Sequence, residues 1–67
     1  MTAAEFERLT ADQAECLLVR RLRLFLGAGA APGGALLLAC QVEIPEEAAI
    51  ELLGRGLSAD LTLRLLY

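Results

Sequence analysis

The longest stretch of the chain without a charged residue runs from residue 24 to residue 42. Its two ends, residues 24–26 and 36–38, are rich in leucine, and its centre holds Pro32 and four of the six glycines. Such a centre interrupts a helix, and a segment in lipid must satisfy every backbone group internally. We therefore interpret the stretch as two packed elements joined by a bend over residues 27–34, with both leucine-rich ends buried.

The size and composition of the chain predict one small domain, residues 1–67, that needs a partner. A 67-residue chain is expected to bury only about 60% of its unfolded surface. Apolar residues make up 57% of the sequence, which is more than one small core can cover. The net charge of -3 disfavours general binding to nucleic acid, because phosphate neutralisation needs a basic surface.

Residue usage indicates a cytoplasmic protein of bacterial origin. All six basic residues are Arg, which together with abundant Ala, Gly and Leu is typical of a GC-rich bacterial genome. The first residues are acidic and contain no apolar signal segment. Cys16 and Cys40 lack the spacing of a metal site, so we expect two buried, reduced side chains.

Two capping boxes predict the helices of the first half. Thr2 and Glu5 have the spacing of such a box, as do Thr10 and Gln13, and each marks the first turn of a helix. A short helix to about Leu9 and a long central helix from Ala11 to Leu26 are expected. A strand over residues 19–26 is the alternative for the end of the central helix, because leucines alternate there with arginines.

The second half is predicted as three further helices. Pro32 can open one over residues 33–41, Pro45 suits the first position of another that ends at Gly54 or Gly56, and Ser58 can cap a last helix to Tyr67. The fold class is therefore all-α, a small bundle of four to five short helices with a Gly/Pro hinge. The C-terminal half is similar to a helix-turn-helix. An α+β fold with strands near residues 36–44 and 61–66 is the alternative, because leucines alternate there too.

Under that alternative, the sequence resembles a known family. The phrase Val42-Glu-Ile-Pro-Glu-Glu, a helix, and then Asp60-Leu-Thr-Leu-Arg-Leu resembles the strand, helix and strand of swapped-hairpin transition-state regulators. The resemblance implies a dimer that binds DNA. The chain lacks the basic residues and the Gly-Asp turn of those regulators.

The residue types argue against an enzyme and for a binding role. The absence of His removes most nucleophilic and zinc sites, and the adjacent Glu46 and Glu47 point about 100° apart on a helix, so they cannot act as a catalytic pair. We expect no cofactor and no metal. The predicted function is a non-catalytic protein–protein interaction module, which self-associates or serves as a small accessory subunit.

Two sets of residues carry the functional predictions. The expected interface anchors are large apolar side chains: Leu22, Phe25, Leu26, Leu61, Leu65 and Tyr67. The alternative function is a small helix-turn-helix-like or swapped-hairpin DNA-binding transcriptional regulator, whose candidate anion or nucleic-acid contacts are Arg20, Arg21 and Arg23. We expect the partner to be a protein, either a second copy or a larger protein. We do not expect binding to nucleic acid or to a membrane.

Overall fold

A computed structural model describes all of residues 1–67 as five α-helices without a strand. The helices are α1 (Ala3–Glu7), α2 (Ala11–Gly27), α3 (Pro32–Cys40), α4 (Glu46–Gly54) and α5 (Ala59–Leu66). The all-α prediction is confirmed. The strand alternative is wrong, because residues 36–40 lie in α3 and residues 61–66 in α5. The swapped-hairpin arrangement, which requires those strands, is not formed.

Side-chain caps begin three of the helices. The Thr2 hydroxyl accepts a hydrogen bond from the backbone N–H of Glu5, and the Glu5 carboxylate accepts one from the N–H of Thr2. Thr10 and Gln13 form the same reciprocal pair at the start of α2, so both predicted capping boxes are confirmed. The Ser58 hydroxyl caps α5 by accepting from Leu61 N–H.

Glycines with positive φ end α2 and α4. Gly29 (φ 107°) and Gly56 (φ 94°) each occupy the second position after their helix, where a left-handed conformation favours glycine. The next residue then donates back into the last turn: Ala30 N–H to Phe25 O, and Leu57 N–H to Leu52 O. This is the hydrogen-bond pattern of a Schellman cap.

The core lies where α2 packs against α3 and α4, and α5 closes over α3 and α4. Only 12 of the 67 residues are buried, so the hydrophobic core is small for the apolar content. Its largest fully buried apolar side chains are Phe25, Leu38 and Ile44. Gly34 lets α3 approach α5 closely, because a Cβ at this position would lie 2.5 Å from the Cβ of Ala59.

Three details of the sequence-based picture are corrected. The ends of the uncharged stretch are only partly buried: Leu38 is in the core, whereas Leu24, Leu26, Leu36 and Leu37 are exposed, because each helix turns only one side towards the core. Cys16 and Cys40 are exposed as well, since both lie on outward helix faces. Pro45 precedes α4 as its N-cap instead of occupying its first position.

Candidate interaction surface

The outward face of α3 carries no charged side chain and, apart from the weakly hydrogen-bonding thiol of Cys40, only apolar ones. The helix PGGALLLAC contains no polar residue, and a 3.6-residue repeat divides it into two apolar faces. Ala35, Leu38 and Ala39 are buried against the core. The opposite side is exposed and is called here the α3 outer face: Pro32, Gly33, Leu36, Leu37 and Cys40.

Two neighbouring leucines form the centre of the α3 outer face. Leu36 is 54% exposed and Leu37 is 61% exposed. Single exposed leucines are ordinary on protein surfaces, but a helix that is apolar all round is normally buried all round. The α3 outer face is therefore a surface that this fold leaves uncovered and that a partner can cover.

The apolar anchors expected from the sequence separate into buried and exposed residues. Phe25 is completely buried and Leu22 packs against the core, so Phe25 has no surface to offer a partner and its assignment as an anchor is wrong. Phe25 and Leu22 belong to the apolar stripe of α2 that faces the core. The other four predicted anchors are exposed, by between 40% and 74%: Leu26, Leu61, Leu65 and Tyr67.

The three neighbouring arginines of α2 do not form one basic surface. Arg21 is buried, and its guanidinium donates to four backbone carbonyls: Leu38 O at 3.2 Å, Ala39 O at 3.0 Å, Gln41 O at 2.9 Å and Ile44 O at 3.1 Å. It also lies 5.3 Å from the centroid of the Phe25 ring, within the range of a cation–π contact. Arg21 thus binds the end of α3 and the α3–α4 loop.

Burial and the Glu46 carboxylate shift the pKa of Arg21 in opposite directions. Desolvation lowers the pKa of Arg21 from its ordinary value, and the negative charge of Glu46 raises it; the Glu46 carboxylate oxygen lies 3.7 Å from the guanidinium. An arginine side chain remains protonated in proteins. Its donors are engaged by carbonyls inside the molecule, so the assignment of Arg21 as an anion or nucleic-acid contact is wrong.

The other two candidate contacts, Arg20 and Arg23, are exposed, and Arg20 is paired, as is Arg64 on α5. Arg20 forms an ion pair with Glu46 at 2.7 Å, and Arg64, the one basic residue of α5, pairs with Asp60 at 3.2 Å. Arg23 is exposed on α2. A helix-turn-helix would insert α5 into the major groove. The one basic residue of α5, Arg64, has the acidic side chain of Asp60 beside it.

Two depressions lie on the surface near α2. The larger, about 650 Å³, is an open groove lined by six residues of that single helix, Cys16, Val19 and Leu24 among them. The smaller, about 300 Å³, lies between α2 and the start of α4, beside the Arg20–Glu46 ion pair. Neither has the enclosed apolar walls of a small-molecule site.

The sequence analysis missed the α3 outer face and the internal role of Arg21. A signal for the first was present, because α3 has no polar residue on any side. A weaker signal for the second was the place of Arg21 at the edge of the apolar stripe, four residues before Phe25. The carbonyls that it binds lie 17 to 23 residues further along the chain, and no local pattern identifies them.

The structure contains neither a membrane-spanning helix nor a metal-binding cluster, and comparisons with known proteins identify no relative. No helix combines the length and the hydrophobicity needed to cross a bilayer. No group of three or more His, Cys, Asp or Glu side chains is arranged to hold a metal ion. No protein-family model matches the chain, and no curated protein or solved structure is significantly similar to it.

Proposed function

We propose that the chain is a non-catalytic, cytoplasmic protein–protein interaction module that self-associates through the α3 outer face. The observation that carries the proposal is that this exposed face contains no polar side chain. Each half-exposed leucine at its centre contributes about 1 kcal/mol when it is buried. A dimer buries four of them, which is roughly 4 kcal/mol of favourable free energy before the losses of association.

Charge favours a second copy as the occupant of this face. In a two-fold dimer the same surface patch meets itself, so any carboxylate on the patch faces a like charge. Every helix except α3 carries carboxylates, and the whole chain has a net charge of -3. In a dimer through the α3 outer face, no carboxylate of the patch lies opposite a like charge, although the net charges of the two copies still repel.

The shape of the face is also compatible with a two-fold pair. In an antiparallel pair of α3 helices, Leu36 packs against Leu37 of the second copy and the small Gly33 lies opposite Cys40. Residues at positions i, i+3, i+4 and i+7 of a helix form the stripe that packs against another helix. Gly33, Leu36, Leu37 and Cys40 have this spacing.

The length of α3 limits the strength of the dimer. A nine-residue helix is about 13 Å long, so two such helices bury less than the roughly 1,200 Å² typical of stable complexes. We therefore propose a weak, concentration-dependent dimer and not a permanent one.

Sedimentation velocity of a double variant tests the proposed surface. Leu36→Glu with Leu37→Glu removes the apolar centre and places like charges opposite one another. The association constant of the dimer should therefore fall by about a hundredfold or more. The matched control is Leu61→Glu with Leu65→Glu on α5, which makes the same charge change at leucines of similar exposure, 48% and 64%. In about 0.5 M salt, which screens the added net charge, the control should dimerise like the wild type.

The outcomes of this experiment distinguish the α3 outer face from the exposed leucines of α5 as the interface. Loss of association only in the α3 variant supports the proposal. Loss only in the α5 variant would transfer the interface to the anchors expected from the sequence and overturn it. A wild type that stays monomeric at millimolar concentration would exclude a second copy as the occupant. Circular dichroism of both variants should show unchanged helix content, because all four leucines are exposed.

A further inference from the structure

The helix α3 has few stabilising features of its own. Gly33 and Gly34 occupy its first turn, Ala31 at its N-cap makes no side-chain hydrogen bond, and α3 contains no charged residue of its own to complement its dipole. A helix of nine residues with such a sequence does not form in isolation. Its conformation therefore depends on contacts with the rest of the molecule.

The C-terminal end of α3 is closed differently from the ends of α2 and α4. Those two helices end in a glycine of positive φ, Gly29 or Gly56, which completes a Schellman cap. No glycine follows α3, whose C-cap, Gln41, has φ -86° and ψ 79°. The carbonyls of Leu38 and Ala39 accept instead from the Arg21 guanidinium, a cation at the negative end of the helix dipole.

Arg21 also fixes the segment that follows α3. The same guanidinium donates to Gln41 O and Ile44 O in the α3–α4 loop. One planar side chain with five donors can hold four acceptors in a fixed arrangement. A lysine, with three donors on one nitrogen, cannot reproduce this arrangement.

We propose that Arg21 is a positioning residue that keeps α3 helical and so presents the α3 outer face. The link to docking rests on the function proposed above, whereas the link to the conformation of α3 does not. The side chain acts from the buried side of α3, and its guanidinium donates to none of the residues of the outer face. Withdrawal of Arg21 frees the carbonyls of the last turn, unwinds α3 from its C-terminal end and disperses Leu36, Leu37 and Cys40 from their common face.

Hydrogen–deuterium exchange of the full chain tests this proposal. Arg21→Met keeps an apolar stem beside Phe25 but removes every donor. The amides of residues 35–44 should exchange roughly tenfold faster or more, while those of α5 change several-fold less. The matched control is Arg23→Met, which makes the same exchange of side chains at an exposed position of α2 and should leave the amides of residues 35–44 unchanged.

Two further measurements keep the proposal falsifiable where Arg21→Met does not fold. Arg21→Lys should accelerate exchange in residues 35–44 to an intermediate degree. In Arg21→Ala, millimolar methylguanidinium should restore protection there, and the same concentration of methylammonium should not. The proposal is overturned by exchange that accelerates equally in all helices of Arg21→Lys, or by protection that both cations restore alike.

The association measurement separates this proposal from the proposed function. The exchange experiment should also be carried out in the Leu36→Glu, Leu37→Glu background, where the chain is monomeric. Selective opening of α3 in that background supports the role of Arg21 even if the wild type fails to dimerise. If the wild type dimerises and Arg21→Lys dimerises equally well, the link from Arg21 to docking is overturned and the proposed function stands, while the exchange experiment alone decides the role of Arg21 in the conformation of α3.

Discussion

At the scale of single residues, identical side chains have different roles because of their position on the helix. Arg21 and Arg23 lie two residues apart on α2, yet one binds four internal carbonyls and the other is exposed. A helical wheel predicts which of them faces the core. It cannot predict the ligands of Arg21, because those carbonyls are assembled by the tertiary fold.

The two capping boxes make a residue-scale prediction about pH. Hydrogen bonds with the Thr2 backbone and, to a smaller extent, with the Thr2 side chain lower the pKa of Glu5 below its ordinary value. A lowered pKa in the folded state means that the Glu5 cap stabilises α1 above the ordinary pKa. This stabilisation is lost as the pH falls through the lowered pKa.

The second box provides a control for this titration, because Gln13 has no ionisable group. In an NMR titration from neutral pH to about pH 2, the Thr2 amide resonance should shift with a midpoint below the ordinary pKa of glutamate, and the Thr10 amide should not follow it. Equal shifts of both amides, or a Thr2 midpoint above the ordinary value, would contradict the role assigned to Glu5.

At the scale of elements, polar caps predict where helices start, whereas the apolar helix α3 was predicted without such a cap and with a strand as its alternative. The boxes at Thr2 and Thr10 and the cap at Ser58 each predict a helix that the structure contains. For α3, the sequence allows a strand equally well, because an uninterrupted apolar run has no polar residues to reveal a period. Its helical form is set by the packing of Gly34 on Ala59 and by Arg21.

The contact between α3 and α5 leads to a prediction about stability. Gly34→Ala places a Cβ 2.5 Å from the Cβ of Ala59, and overpacking of this kind costs about 1–3 kcal/mol. The gain in helix propensity offsets at most ~1 kcal/mol of that cost. Thermal unfolding should therefore show a lower Tm, by roughly 4–8 °C for each kcal/mol lost.

Gly33→Ala is the control for Gly34→Ala. A Cβ at Gly33 would have no atom within 4 Å, so this variant should match or exceed the wild-type Tm. In the Gly34→Ala background, Ala59→Gly should be less damaging than in the wild type, because it removes the atom that collides. Strictly additive effects of the two substitutions would show that the helices do not meet at these residues.

At the scale of the whole molecule, the proposed interface could not be located from the sequence. The composition predicts excess apolar surface, and nine large apolar side chains are in fact exposed. Which ones are exposed depends on how α2 and α5 pack against α3. We expected Phe25 in an interface and residues 36–38 buried, whereas Phe25 and Leu38 lie in the core and Leu36 and Leu37 are exposed. The fold class follows from local signals, whereas exposure is a property of the assembled chain.

The charge of the whole molecule makes a final prediction about association. Two copies with a net charge of -3, at a centre separation of roughly 20 Å, repel by about 1–2 kcal/mol in water at low salt. Salt at about 0.5 M shortens the Debye length to a few ångströms and removes most of this repulsion. The α3 outer face has no ion pair to lose, so the dissociation constant should fall several-fold to about tenfold on going from low to high salt. Sedimentation velocity over a salt series measures the change. An affinity that weakens with salt would mean that ion pairs hold the dimer, and would relocate the interface to a charged surface such as that around Arg20 and Glu46.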